Sequence, residues 1–309
     1  MRTTAWLALA LALLLAPARA AEFDYGPQPF GPHRTTERWG AYESPAADGK
    51  VRYFLVRPEG AGRYPGVYYV YGRPGLDHRL LPELRRLASY GFTVYVAHFQ
   101  EALLIPILLP ANDPPETLQV QIEGFEDFLK LEERAPGKVC VFSTVRGGNF
   151  SVILAARPEV GCYVGYHSAL VLHGWPEQYQ DVTVMPEVRK LRTPTLLMIG
   201  GADFETRQNQ SKRVAQYLRA KGVPVELVVY PEAQRGFDFR VVNRTLADDL
   251  AKIDSMNRAI AFMSQHLDVG GAKLPTSRYA AAPLPAAVRN VQDPGAPPRA
   301  APKGAGGGD

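Results

Sequence analysis

A chain of 309 residues, 46% of them hydrophobic, can build one large domain with a substantial core. Its 35 Lys and Arg against 31 Asp and Glu leave a net charge of only +4. No basic run is interleaved with stacking aromatics, which argues against nucleic-acid binding. With two cysteines, no C-x-x-C pair and no His/Cys cluster at ligand spacing, neither a metal nor another cofactor is expected.

The chain opens with Arg2, an apolar run from Trp6 to Leu15 and the small-residue pattern Ala18-Arg19-Ala20. That combination predicts a secretory signal over residues 1–20 and a periplasmic or secreted protein, with an uncleaved anchor as the alternative. No Cys follows the apolar run to carry a lipid, and no later apolar run is long enough to span a membrane, so no stable membrane insertion is expected. At the other end, residues 269–309 are rich in Ala, Pro and Gly without apolar periodicity and read as a disordered tail. About 250 residues, 21–268, are left for a single α/β domain.

Within that domain ERWGAYES and KVRYFLVRP flank PAADG and predict an antiparallel hairpin. Strands and helices then alternate. YPGVYYVYG is a strand, and LPELRRLASYG a helix with apolar residues at helical spacing and a closing Gly. FTVYVAHF is a strand, followed by a loop whose residues 102–111, ALLIPILLPA, are apolar enough to act as a lid or pocket wall, an exposed partner or membrane patch being the minor alternative. ETLQVQIEGFEDFLKLEE is an amphipathic helix, KVCVFS a strand, GGNFSVILAAR a helix and VGCYVGYHS a strand. After an irregular excursion from Trp175 to Lys190 come strand TPTLLMIGG, helix NQSKRVAQYLRAKG, strand PVELVVYPEA and a last helix, LADDLAKIDSMNRAIAFMSQHL. Near-continuous apolar strands separated by helices imply a doubly wound, mostly parallel sheet covered on both faces, with ligands at the carboxyl ends of its strands. Cys140 and Cys162 both fall in strand-like runs; a disulfide is open to them in an oxidising compartment, but buried free thiols are favoured because parallel neighbours rarely reach disulfide geometry.

The antiparallel opening pair, the strand–turn–helix unit VCVFSTVRGGNFSVILAA, TPTLLMIGGADFET and VELVVYPEAQRGFDF together resemble the α/β-hydrolase fold, and within it the dienelactone hydrolase family, from about Tyr64 to Leu267. The resemblance implies a Ser or Cys nucleophile, an Asp and a His, in that order. Placed in that frame, the nucleophile position of the elbow Ser143-Thr144-Val145-Arg146-Gly147-Gly148 holds Val145, which has no heteroatom to activate. Ser143 is out of frame, and Thr144 points to the other side of the turn. An elbow tip often has positive φ, which a β-branched residue tolerates poorly, so either the turn has relaxed or strain persists without its catalytic purpose.

The acid position is retained as Asp203, with a helix N-cap or an ion pair favoured over a catalytic role. In YPEAQRGF, Arg235 stands where the family's loop has His. A permanently protonated guanidinium cannot be a general base, but it can pair with Asp203 or bind an anion, and the preserved Gly236-Phe237 favours an inward guanidinium over a solvated one. The oxyanion donors are backbone N–H groups, here of Arg146 and of the Tyr71-Gly72-Arg73 loop, and survive side-chain changes. Tyr71, Arg73, Arg146 and Arg235 are therefore the candidate ligand-binding residues. His98, His167, Ser168 and His173 read as pocket lining or satisfied loop groups.

Three functions follow. The first is a non-catalytic pseudo-hydrolase that binds a small-molecule ligand, with an anion favoured, or a partner. The second is an exported ester or lactone hydrolase using a nucleophile from elsewhere or an aligned water. The third is an interaction protein, though nothing specifies a protein partner.

Overall fold

A computed structural model describes residues 30–106, 113–170 and 185–267. The expected signal segment, the tail, His173, residues 107–111 of the apolar loop and 175–184 of the excursion lie outside the described residues. Eight strands form one sheet: β1 (Thr35–Ser44), β2 (Gly49–Pro58), β3 (Gly66–Val70), β4 (Thr93–Ala97), β5 (Val139–Thr144), β6 (Val160–Tyr166), β7 (Thr195–Gly200) and β8 (Val225–Tyr230), in the order β1-β2-β4-β3-β5-β6-β7-β8. β1 and β2 pair antiparallel, as do β2 and β4, and every other neighbouring pair is parallel. Among the described residues no helix is long and apolar enough to cross a membrane.

Every residue of β3, β4, β5 and β7 is buried, which accounts for their unbroken apolar sequences. Tyrosines tie the sheet to the helix Glu116–Lys130: Tyr42 donates its hydroxyl to the Val120 carbonyl at 2.9 Å and Tyr68 to that of Gln121 at 3.1 Å. Gly124 permits this approach, since a Cβ there would lie 2.8 Å from both hydroxyls. The last helix, Leu246–His266, starts with a capping box in which Thr245 and Asp248 exchange hydrogen bonds. Asp248 also accepts from the Gln234 N–H at 2.7 Å, anchoring the loop after β8 to that helix.

One expectation is overturned. Cys140 and Cys162 form a disulfide rather than remaining free thiols. The general obstacle to bridging parallel neighbours is removed locally: the β5–β6 register shifts between Val139 and Cys140, and the two cysteines become direct register partners with their Cα atoms 4.7 Å apart.

Candidate active site and its arginine cluster

The elbow forms because the buried strand VCVFST runs into two glycines. A Cβ on Gly147 would sit 2.3 Å from the Val70 carbonyl oxygen, and one on Gly148 would sit 2.7 Å from the Ser168 Cβ. Only glycine lets the helix Gly147–Ala155 start this close to β3 and to the end of β6. Val145 occupies the tip with φ +47°, so the turn has not relaxed. Its N–H donates to the Tyr166 carbonyl at 2.8 Å, and its own carbonyl accepts from Gly148 at 3.1 Å and Ala169 at 2.7 Å. These bonds hold a β-branched residue in a conformation that costs it about 1–3 kcal/mol. The Val145 side chain is 3% exposed, against the Tyr71-Gly72-Arg73 loop: a Cβ on Gly72 would lie 3.0 Å from the Val145 Cβ. Ser143 is wholly buried, its Oγ 3.1 Å from the Tyr163 hydroxyl, and Thr144 Oγ1 accepts from the Gly72 N–H at 3.0 Å.

The backbone donors persist. Among the described residues the N–H groups of Arg73 and Arg146 donate to no other protein group. Tyr71 is committed elsewhere: it is buried, stacked on Phe99 with ring centroids 4.7 Å apart, and its hydroxyl accepts from the Gln100 N–H at 3.3 Å.

Asp203 does not cap the following helix, and among the described residues it makes no ion pair. The N-cap of the helix Glu205–Ala220 is Phe204, one residue later, and makes no side-chain cap bond. Asp203 Oδ1 instead accepts from the Phe204 N–H at 2.7 Å, and Oδ2 is buried with no hydrogen-bond partner among the described residues. Arg235 is half-buried, its guanidinium 5.9 Å from the centre of the Phe204 ring. Burial lowers its pKa, the charge of Arg73 adds to that, and the carboxylate of Asp203 opposes it. Asp203 and Arg235 thus interact electrostatically, with no ion pair or hydrogen bond between them.

Arg146 has a partner that sequence reasoning missed. Its Nη2 lies 2.6 Å from Asp113 Oδ2, and both side chains are nearly buried, at 7% and 8% exposed. The contact is a close ion pair rather than a well-directed hydrogen bond, because neither atom finds a partner of good hydrogen-bonding geometry. Burial raises the Asp113 carboxyl above the usual carboxylate range despite the pull of Arg146 and Arg73. For Arg146, burial lowers the pKa, Asp113 opposes this and Arg73 adds to it. The charge of Arg73 thus acts on both Arg146 and Arg235. Asp113 follows the apolar loop, and no motif marks it.

His98 and His167 each meet a carboxylate. His167 is fully buried at φ +46°, its Nε2 3.1 Å from Asp238 Oδ1, while its Nδ1 has no partner among the described residues. Ser168 Oγ lies 3.3 Å from the Tyr163 hydroxyl, and His98 Nδ1 is 2.7 Å from Glu101. Among the described residues no group of three or more His, Cys, Asp or Glu is placed to hold a metal ion.

A model of the dienelactone hydrolase family matches residues 51–267. Mouse acyl-coenzyme A amino acid N-acyltransferase 1 is 30% identical over 207 residues, covering 62% of this chain and 44% of that protein. Rat acylamino-acid-releasing enzyme is 29% identical over 96 residues, 31% of this chain and 12% of that protein. The chain thus spans less than half the length of these curated relatives. A putative dienelactone hydrolase from Klebsiella pneumoniae superposes with a TM-score of 0.59 at 21% identity, covering 74% of this chain and 99% of that one. A dienelactone hydrolase-like promiscuous phosphotriesterase from metagenomic libraries does so with a TM-score of 0.59 at 16% identity, covering 75% and 99%. At such identities the superpositions establish the fold alone.

Proposed function

Since the chain belongs to the dienelactone hydrolase family yet has Val145 and Arg235 at the nucleophile and base positions, we propose that it binds a small anionic ligand rather than hydrolysing an ester. The observation that carries this reading is Val145, held at the positive-φ tip of an intact elbow with its side chain buried. No atom there can attack a carbonyl, and a guanidinium cannot take the proton that such an attack releases. Losing either group of such a unit removes most of its rate enhancement, and here both are gone.

What survives suits an anion. The N–H groups of Arg73 and Arg146 are open donors next to the turn, and guanidinium groups add charge-assisted hydrogen bonds that a carboxylate or phosphate oxygen accepts. The ligand's oxygens then occupy the place that a developing oxyanion takes in a working hydrolase. The second reading, an ester or lactone hydrolase using an aligned water, draws on the same donors and lacks a base.

Both readings are separated by assaying the purified chain with short-chain aryl esters and a fluorophosphonate serine probe. Turnover at the buffer rate and no labelling are expected; turnover abolished by the probe would overturn the binding reading. The double variant Val145→Ser, Arg235→His should gain esterase activity if the frame is correct.

We also place the protein outside the cytoplasm, as a periplasmic or secreted molecule. The composition of residues 1–20 supports this, as does the Cys140–Cys162 disulfide, a bond that persists mainly in oxidising compartments. Mass spectrometry of the protein from its native host should find an N-terminus at Ala21; an intact Met1 would sink the proposal.

A further inference from the structure

The parallel strands β3 to β8 all end on one side of the molecule, and that side carries most of the exposed apolar surface. Seven large apolar side chains are exposed among the described residues. Five of them follow the carboxyl ends of strands: Leu104 after β4, Phe204 after β7, and Val241, Val242 and Leu246 after β8. These five are between 59% and 87% exposed. Single exposed apolar residues are ordinary, but their concentration on one side marks an interaction surface.

Local structure does not call for these side chains. Leu104 is held at φ +52° by bonds from its own N–H to the Glu101 carbonyl at 3.2 Å and from the Ile105 N–H to that of Gln100 at 2.8 Å. Glycine suits such a backbone better, and a leucine left in water offsets none of the strain. Phe204 is the N-cap of the helix Glu205–Ala220, where a short polar side chain would bond to the helix, and it makes no such bond. Guanidinium groups accompany the apolar residues. Arg235 lies 5.9 Å from the centre of the Phe204 ring, and Arg240 donates to the carbonyls of Arg235 at 3.2 Å and Val242 at 3.4 Å. Neither arginine forms an ion pair with a described residue. Of the carboxylates exposed on the same side, Glu116 and Glu232 form none either, whereas Asp249 meets Arg244 and Glu101 meets His98 and Arg52.

We infer that this side of the molecule rests on a phospholipid surface, with Leu104, Phe204, Val241 and Val242 among the acyl chains and Arg235 and Arg240 at the level of the phosphates. A guanidinium beside an apolar side chain matches the layering of that surface, where phosphate oxygens lie just above hydrocarbon. Separate apolar tips on three loops suit a deformable layer better than a rigid protein partner. The contact needs no spanning helix, and among the described residues there is none. It also needs no ligand in the site, so it stands apart from the anion-binding reading.

Cosedimentation with sucrose-loaded vesicles tests the inference, using phosphatidylcholine alone and phosphatidylcholine with one-third phosphatidylglycerol. The unmodified chain should bind both, and the second more tightly, because arginines gain from anionic lipid. Leu104→Ser and Phe204→Ser should each weaken binding at least about tenfold. Phe30→Ser should leave it unchanged, since that exposed side chain lies next to Gly31, which bonds to Ser89 near the amino end of β4. All three side chains are exposed, so folding is not at stake. No binding of the unmodified chain to either vesicle would overturn the inference. So would undiminished binding by both Leu104→Ser and Phe204→Ser, which would move the contact elsewhere in the chain, such as the apolar residues 6–15. A dimer in sedimentation velocity that Phe204→Ser dissolves, without vesicle binding, would overturn it in favour of a second copy of the chain.

Discussion

The ends of β5 and β7 carry two of the positions that the family resemblance assigns to a triad, and they differ in opposite ways. At β5 the geometry is intact and the chemistry is gone. Val145 sits at φ +47° on three backbone hydrogen bonds, with Gly147 and Gly148 admitting the helix, but it presents only methyl groups. At β7 the chemistry is intact and its partner is gone. Asp203 keeps a carboxylate with an unpaired oxygen, but across from it stands Arg235. Both ends rest on glycines against backbone: a Cβ on Gly200 would lie 2.3 Å from the Ala233 carbonyl oxygen, much as at Gly147. The shape of a strand-end loop is set by packing and by many backbone bonds, whereas the side chain at its tip is held by none of them. A fold can therefore lose a reactive group and keep the turn that presented it.

The comparison is tested most severely beneath the elbow. Replacing both Cys140 and Cys162 by Ala should cost about 3 kcal/mol, since the bridge closes a loop with a sequence separation of 22. An unchanged thermal midpoint would show that β5 needs no such staple.

Gly147→Ala should cost about 2–3 kcal/mol, because backbone rather than a flexible side chain blocks the new methyl. Gly49→Ala, with nothing within 4 Å, should cost less than about 0.5 kcal/mol. Equal urea midpoints for these two variants would mean that packing does not hold the elbow.

Val145→Gly should cost less than about 1 kcal/mol, the relieved strain of about 1–3 kcal/mol offsetting most of the lost burial of about 1.5–3 kcal/mol. The same change at Val141, buried in β5, has no strain to relieve and should be several-fold worse. Similar losses at both positions would contradict a strained tip.

The smallest effects are on the pH dependence of stability. Burial raises the folded pKa of Asp113 above its unfolded value of about 4. The folded state then holds a proton that the unfolded chain has released, so this group makes stability fall as pH rises from about 4 through the folded pKa. Asp248 has the opposite sign. Burial acts to raise it, but hydrogen bonds from Gln234 and Thr245 hold it below the usual range, so its contribution is present above about pH 4 and fades as pH falls through its folded pKa. Asp113→Asn should flatten the first slope and Asp248→Asn the second in urea midpoints measured from about pH 3 to pH 7; identical profiles would remove both assignments.

The strands, the longer helices and the elbow were legible in the sequence because each depends on local pattern, whereas the short helices Phe99–Ala102 and Met185–Val188 fall where a loop and an irregular excursion were expected. VCVFST is a strand wherever it is buried, and GG admits a close helix. What was missed depends on meetings between distant segments. Asp113 lies 33 positions before Arg146, and Asp238 lies 71 after His167. The disulfide needed a register shift that no propensity encodes. The helix after β7 begins one residue later than a cap at Asp203 would require, leaving that carboxylate free for another role.

By itself, then, the sequence determined the order of the main elements, the mostly parallel sheet and the family resemblance. Those follow from periodicity and from side-chain chemistry, which each residue carries wherever it goes. Only the tertiary structure decided that Val145 remains strained, that the cysteines bridge, and that Asp113 pairs with Arg146. Charges act through space and hydrogen bonds through angle, and neither quantity exists until the chain has folded.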